Sequence, residues 1–591
     1  MNWLVPAGAF ALALFITLVA TPAVASFARR IGRVAQPKAD RWHAKPTPLL
    51  GGIAIFVGFA VSTLVFGSSS VAYWGILAGS TLMFVVGLVD DFRELPPRLK
   101  LLGQLVAASA VAALGIHVET GLGWIVDAGL TVFWIVGIGN ALNLLDNMDG
   151  IAAGTTGIVA TFLALYGFFV GAGPMIVLAA ALAGAAFGFL AFNFNPARIF
   201  MGDVGSLVLG FGLGTLSLAM IQTETARAIA PWHLLLPVLF LAVPVTDTAL
   251  VMAERFFNGK PIFQGGRDHS THRLVAIGLT ERETAGFLYG ISVLFGGLAM
   301  AVQWFPHYQA AAGVAVFALL LVSFWSFLAE VPAYERLNFG EAGGIQRRRQ
   351  LRAILRRVLE TIGDMVAVGV AYLSAYLLRW DGRFPPGQYQ LFIESLPVVL
   401  ISFLVAFWFL RLYRIMPRYI GLRDVALIAQ GVVLGTVMSI AAIVLLYRFE
   451  GYPRSIFVLL GVLAVLLIAL NRVGLRAFLD LFRRVSKTRP SRRVAIYGAG
   501  DAGELVYRAL LYDTNERFQV VGFLDDDVSK HGWSIHGVPV LGGLEVLSNG
   551  LAKQVEEVLI ALPSAPAPRK EEICSRLSAL GIPYRVVDGL L

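Results

Sequence analysis

The chain has 591 residues, 57% of them hydrophobic and 14% charged, with a mean hydropathy of +0.74. These values exclude an ordinary soluble globular protein, and the separate apolar runs of about 20 residues indicate a polytopic α-helical membrane protein, not a β-barrel. The net charge of +9 follows from Lys and Arg gathered at cytoplasmic helix ends, so no nucleic acid is needed to explain it, and the single cysteine, Cys574, excludes an internal disulfide or a CxxC metal knuckle.

In chain order, apolar runs predict eleven helices near 3–27, 50–66, 71–89, 99–116, 124–142, 151–171, 174–192, 204–222, 232–252, 285–303 and 309–330. The AVAS sequence at 23–26 resembles a cleavage site, but no positive charge precedes the run and Arg29, Arg30 and Arg33 follow it. An uncleaved first helix that starts outside is expected. The odd-numbered connections then hold Arg29, Arg30, Arg33, Lys38, Arg41, Lys45, Arg93, Arg98, Lys100, Arg198, Arg255, Lys260, Arg267 and Arg273, whereas the even ones hold almost none beyond Arg227. The odd connections are therefore assigned to the cytosol.

A basic linker over 333–357 follows a first membrane domain at 1–332. Four more runs near 360–379, 391–411, 426–447 and 456–481 form a second membrane domain, 358–485, and from about 490 to 591 short β-like runs alternate with helical ones as in a cytosolic α/β domain. The expected count is thus eleven plus four membrane helices.

All the unusual polar stretches of the first domain fall in odd connections: DRWHAKPTPLLGG (40–52), VDDFRELPPRLK (89–100), NALNLLDNMDG (140–150), NFNPARIFMGDVGS (193–206) and NGKPIFQGGRDHSTHRL (258–274). Asp90 and Asp91 end a helix as adjacent, mutually repelling carboxylates, either meeting water or holding a cation. Asn140, Asn143, Asp146 and Asp149 recur every third residue and share one side of a helix or turn, suited to a cation or a base edge; an Asx-rich turn stopped by Gly150 is the bland alternative. Asp203 lies between Gly202 and Gly205, ahead of a new helix, where it either caps that helix or binds a metal while the glycines let backbone approach a ligand. Oxygen donors on a cytosolic face point to Mg²⁺ or Mn²⁺. His269, His272 and Arg273 lie in a basic loop suited to phosphate, and no third nitrogen or sulfur ligand supports zinc there. Carboxylates, a hard cation and basic groups on one face suit phosphoryl transfer, and without a Walker A sequence ATP is not the expected donor.

On these five stretches the chain resembles the polyprenyl-phosphate N-acetylhexosamine-1-phosphate transferases, the family that includes the phospho-MurNAc-pentapeptide transferase of peptidoglycan synthesis. PTPLLGG, VDD, NALNLLDNMDG, FMGDVGS and DHSTHRL match its signatures in order. The resemblance implies transfer of a sugar 1-phosphate from a UDP-sugar to polyprenyl phosphate with release of UMP. It implies Asp203 as a Mg²⁺ ligand, with Asp91 as a second, and Asp90 or Asp91 engaging or deprotonating the acceptor phosphate. Asn143, Asp146 and Asp149 would shape the nucleotide and metal side, and His269 and His272 would act at the phosphates. Lys45, Asn140, Asn193, Arg198 and Arg273 would be further substrate contacts. DNMDG departs from the more usual DGxDG at Asn147, and HSTH departs from a triple histidine, which points to the branch using simpler UDP-N-acetylhexosamines.

In the last domain, RRVAIYGAGDAGELVYRALL places Gly498, Gly500 and Gly503 between a strand and a helix, and VVGFLDDD brings Asp525 to a strand end 25 residues after Gly500. That is the setting of a Rossmann-like nucleotide site, for NAD or a nucleotide sugar. This half resembles the N-terminal region of membrane-bound nucleotide-sugar dehydratases. No tyrosine after 490 has a lysine four residues on, so a binding, regulatory or assembly module is expected in place of redox chemistry. A homo-oligomer is compatible with it. The rival expectation is a nucleotide-gated transporter or sensor with this domain as receptor; against it, the acids cluster at helix ends and not at the membrane midplane.

Overall fold

The structure, a computed structural model, describes residues 3–36, 46–225, 235–258, 269–277, 279–301, 342–410, 412–414, 422–474, 492–511, 518–535, 538–548, 555–562 and 565–587. The chain divides into two compact units, Met1–Arg484 and Val485–Leu591.

The first unit is helical. In chain order it contains α1 (Leu4–Arg30), a two-strand ladder of β1 (Val34–Ala35) with β2 (Thr47–Pro48), α2 (Gly52–Val65), α3 (Val71–Arg93), α4 (Pro97–Ala113), α5 (Trp124–Leu145), α6 (Ile151–Val170), α7 (Met175–Asn193), α8 (Gly202–Thr225), α9 (Leu236–Phe240), α10 (Ala242–Asn258), α11 (Ser270–Ile277) and α12 (Glu281–Ala301). Then come α13 (Ala342–Arg379), α14 (Gln388–Phe409), α15 (Leu422–Tyr447) and α16 (Arg454–Ala469). Eleven helices among the described residues are long and apolar enough to cross a membrane. The chain is a polytopic α-helical membrane protein.

Three of the fifteen expected spans differ, and a fourth, the run at 309–330, lies outside the described residues. Two of the three, α2 and α4, are shorter. The expected helix at 232–252 is broken at Leu241 into α9 and α10. Pro244 has no N–H for the carbonyl of Phe240, and its ring crowds that carbonyl, so the helix restarts around Leu241. The basic stretch expected as a linker is helical from Ala342, continuous with the span that follows.

The centre of the first membrane domain is α8. Every residue from Val204 to Ile221 is buried, and α8 packs against α2, α3, α5, α6 and α7. Lipid tails are as apolar as leucine, so helices gain little from the hydrophobic effect here and associate through close packing of small residues. At the start of α8 this reaches backbone contact: a Cβ added at Gly52 would lie 2.1 Å from the backbone nitrogen of Gly205. The helices α13–α16 enclose a separate aromatic core that includes Tyr372, Phe403 and Phe407, with Asp364 paired to Arg472.

The second unit is a six-stranded sheet in the order β5-β6-β4-β3-β7-β8. Its strands are β3 (Arg492–Tyr497), β4 (Phe518–Leu524), β5 (Ser534–Ile535), β6 (Val538–Gly542), β7 (Glu557–Ile560) and β8 (Tyr584–Val586), with helices α17 (Asp501–Leu511), α18 (Glu545–Ser548) and α19 (Ala567–Ala579). All pairings are parallel except β5 with β6, and the direction of strand succession reverses between β3 and β7. That switch point is where ligands bind in open α/β sheets.

Candidate active site

The site is assembled at the ends of α3, α5 and α7 and the starts of α4, α8 and α11. A backbone zipper fixes one wall: Phe200 N–H donates to Pro48 O (2.9 Å), Gly51 N–H to Phe200 O (2.9 Å) and Gly52 N–H to Met201 O (2.8 Å). The PTPLLGG stretch thus clamps the segment that carries Asp203. Lys45, just ahead of it, lies outside the described residues, as do Arg267 and Asp268.

The two adjacent acids of α3 have different tasks. Both oxygens of Asp91 face the N-terminus of α8, accepting from Asp203 N–H (2.9 Å) and Val204 N–H (3.3 Å). The exposed amides at a helix start favour a carboxylate, so Asp91 caps α8 from another helix. The capping role considered for Asp203 belongs to Asp91. Gly202 holds φ +70°, and a Cβ there would lie 2.5 Å from Asp91 Oδ2. Gly202 and Gly205 therefore admit the neighbouring helices.

Asp90 is buried; its Oδ1 accepts from Leu95 N–H (2.6 Å) and its Oδ2 pairs with Lys100 Nζ (2.9 Å). The same ammonium lies 2.8 Å from Asp203 Oδ2. One cation on the first turn of α4 therefore bridges an acid of α3 and an acid of α8. Asp203 Oδ1 accepts from Asn143 Nδ2, which also lies 2.8 Å from Ser206 Oγ. In the sequence Lys100 is one basic residue among many in the odd connections; the signal for its role is its place in the same short connection as the Asp90–Asp91 pair.

Asp146 ends α5. Withdrawal from water, then the charges of Asp203, Asp149 and Asp91, push its carboxyl well above the usual carboxylate range. Such crowding of like charge is what a divalent cation relieves. Among the described residues, no three His, Cys, Asp or Glu side chains lie close enough to hold a metal by themselves. The donor set instead suits a strongly hydrated ion held by one or two carboxylates.

The remaining expected residues divide between the site and its frame. Asp149 Oδ2 accepts from Ala197 N–H (2.8 Å) and Asn195 Nδ2 (3.3 Å), tying the third polar connection to the fourth. Asn195 also binds Glu281, and Arg282 Nε donates to Asn195 O (3.0 Å), two partners that the sequence did not announce. Asn193 is buried; its Oδ1 accepts from Gly150 N–H (3.1 Å) and its Nδ2 donates to Ile199 O (2.9 Å). Asn140 exchanges hydrogen bonds with Gln104 and donates to Val136 O (2.9 Å). Both were expected as substrate contacts; in the structure both amides hydrogen-bond to protein partners. The side chain of Arg198 is exposed.

At the fifth stretch, Thr271 Oγ1 donates to Asn147 Oδ1 (2.7 Å), so α11 docks on the loop that carries Asp146 and Asp149. This gives Asn147, where the resembled family more often has glycine, a definite partner. His269 is buried with Nδ1 3.0 Å from Asp247 Oδ2, His272 is half-buried with its ring 6.3 Å from that of His269, and Arg273 is fully buried.

A family model described as glycosyl transferase family 4 matches residues 73–221, across three of the five polar connections. A probable undecaprenyl-phosphate N-acetylglucosaminyl 1-phosphate transferase of Bacillus subtilis is 33% identical over 343 residues, 56% of this chain and 93% of that protein. The chain belongs to glycosyl transferase family 4. Other relatives of this family 4 protein include a decaprenyl-phosphate N-acetylglucosaminephosphotransferase of Mycolicibacterium smegmatis, 32% identical over 54% of this chain and 88% of that one. A phospho-N-acetylmuramoyl-pentapeptide-transferase of Moorella thermoacetica is 35% identical over 42% and 86% respectively. A second model, described as a CoA-binding domain, matches residues 407–587 of this family 4 protein, spanning helices of the second membrane domain and the α/β unit.

In that unit, Gly498 has φ +111° and a Cβ there would lie 2.6 Å from Ala561 O, while a Cβ at Gly503 would lie 1.8 Å from Gly498 O. The glycines bring the turn and α17 against the strand ends; around Gly500 there is open space. Asp525 Oδ2 accepts from Ala499 N–H (2.8 Å) and Lys530 Nζ (2.9 Å), and its Oδ1 accepts from Asp527 N–H (2.9 Å). Burial raises its carboxyl, but these donors outweigh that and hold it below the usual range. The acid expected to meet a ribose is thus also the latch of the glycine turn.

Proposed function

We propose that this chain transfers an N-acetylhexosamine 1-phosphate from a UDP-sugar to polyprenyl phosphate at the cytosolic face of the plasma membrane, releasing UMP, as the first step of a cell-envelope glycan. The observation that carries this reading is the Asp90–Lys100–Asp203 bridge at the mouth of a membrane-embedded helix bundle, beside Asn143 and Asp146. Its relatives act on undecaprenyl or decaprenyl phosphate by name.

In the reaction an oxygen of the acceptor phosphate attacks the sugar-bearing phosphorus of the donor, and the bond from that phosphorus to the UMP oxygen breaks. Lys100 is placed to meet phosphate oxygens, with Asp90 orienting its ammonium. Asp203, with Asp146 beside it, would hold Mg²⁺, or Mn²⁺ in its place, while Asp91 keeps the α8 terminus in register. The bound ion would neutralise charge on the donor diphosphate. Positioning and electrostatics are most of what such a transfer requires.

The α/β unit serves this enzyme as a regulatory or assembly module, with the turn at Gly498–Gly503 as the place for NAD or a nucleotide sugar.

Membranes carrying the full chain, given polyprenyl phosphate and a panel of UDP-sugars, should release UMP in step with a polyprenyl diphosphosugar, and EDTA should stop the reaction. No UMP from any UDP-N-acetylhexosamine would overturn the reading. Lys100→Met should lower the rate by about 100-fold or more, because it removes the cation from between two acids, and Lys100→Arg should recover part of that loss. A wild-type rate in Lys100→Met would remove the bridge from the mechanism.

A further inference from the structure

Asp247 lies in α10, inside an apolar run, and is completely buried. An acid in that position is costly unless specific partners satisfy it. Its partners are both at the start of α11: Oδ2 is 3.0 Å from His269 Nδ1, and Oδ1 accepts from Ser270 N–H at 2.8 Å. His269 is only 3% exposed. An ionised carboxylate is an acceptor only, so His269 Nδ1 must carry the hydrogen between them, which leaves Nε2 as the ring nitrogen available to anything else. One residue further on, Thr271 joins Asn147 of the Asp146–Asp149 loop.

We propose that Asp247 is a positioning residue for the transfer: it fixes the tautomer and orientation of His269 so that the unprotonated Nε2 is presented as an acceptor to a hydroxyl of the sugar nucleotide. The proposal rests on the transferase reading given above. Asp247 holds two consecutive residues, one by side chain and one by backbone, so α11 enters the site in a single register. A carboxylate that orients an imidazole in this way governs activity without touching substrate.

The test uses the full-length enzyme in membranes with UDP-N-acetylhexosamine and polyprenyl phosphate. Asp247→Asn should lower kcat by about 30-fold or more and leave KM for the lipid acceptor within two-fold. His269→Gln should lose at least as much, and the double variant no more than the worse single one, because the two residues act as a unit. Additive losses in the double variant, or a kcat in Asp247→Asn within two-fold of wild type, would overturn the proposal. If Asp247→Asn does not accumulate, His269→Asn decides: its Nδ2 stands where Nδ1 did and can still donate to Asp247 while Nε2 is lost, and retention of more than half the wild-type kcat overturns the proposal. Wild-type enzyme that releases no UMP marks failure of the transferase reading; active wild type with an indifferent Asp247→Asn marks failure of the positioning role only.

Discussion

Asp203→Asn is expected to lower the rate of UMP release by about three orders of magnitude, equivalent to about 4 kcal/mol of transition-state stabilisation, with no change in folding. The amide is nearly isosteric, and its oxygen still accepts from Asn143. What disappears is the negative charge that faces Lys100 Nζ at 2.8 Å and that would hold the divalent ion. Folding is spared because the start of α8 is capped by Asp91, not by Asp203. The check is a rate measurement on purified enzyme beside a thermal unfolding curve in the same detergent. A variant that keeps more than a tenth of the wild-type rate would show that Asp203 belongs to the frame. One that loses rate and melting temperature together would show that the charge is structural.

Much of the architecture is legible in the sequence because a membrane imposes a strong rule: about 20 apolar residues make a span, and charge marks its ends. The break at Leu241 had a readable cause in Pro244 but was overridden by the length of the apolar run. The five polar connections were also readable as one face. Which atoms meet there was not, because the deciding contacts join residues far apart in sequence: 112 residues separate Asp203 from Asp91, and 60 separate it from Asn143. Nor does residue type show that the amides of Asn140 and Asn193 bond to Gln104 and to backbone. Asp247 did carry a signal, a lone acid in an apolar run, and its meaning appears only once α10 and α11 are brought together.

Gly52→Ala should disrupt the first membrane domain as strongly as any single methyl group placed in it. The new Cβ would lie 2.1 Å from Gly205 N, 2.6 Å from Gly205 Cα and 2.7 Å from Val204 C, all backbone atoms of α8 that no rotamer can move. On other sides α8 is held as tightly, since a Cβ at Gly87 would meet Val204 Cα at 2.6 Å and one at Gly210 would meet Gly139 Cα at 2.8 Å. The strain must therefore push α2 outward, against the hydrogen bonds from Gly51 to Phe200 and from Gly52 to Met201 that set the segment before Asp203. Overpacking of this kind costs about 3 kcal/mol, and displacing a reacting group by about 1 Å costs on the order of 100-fold in rate. Lower melting temperature and lower activity should appear together. Gly137→Ala is the control: a Cβ there meets nothing within 4 Å, so exchanging a helical glycine for alanine should be neutral or stabilise by up to about 1 kcal/mol. Equal melting temperatures for the two variants would mean that α2 and α8 are not in backbone contact in the membrane.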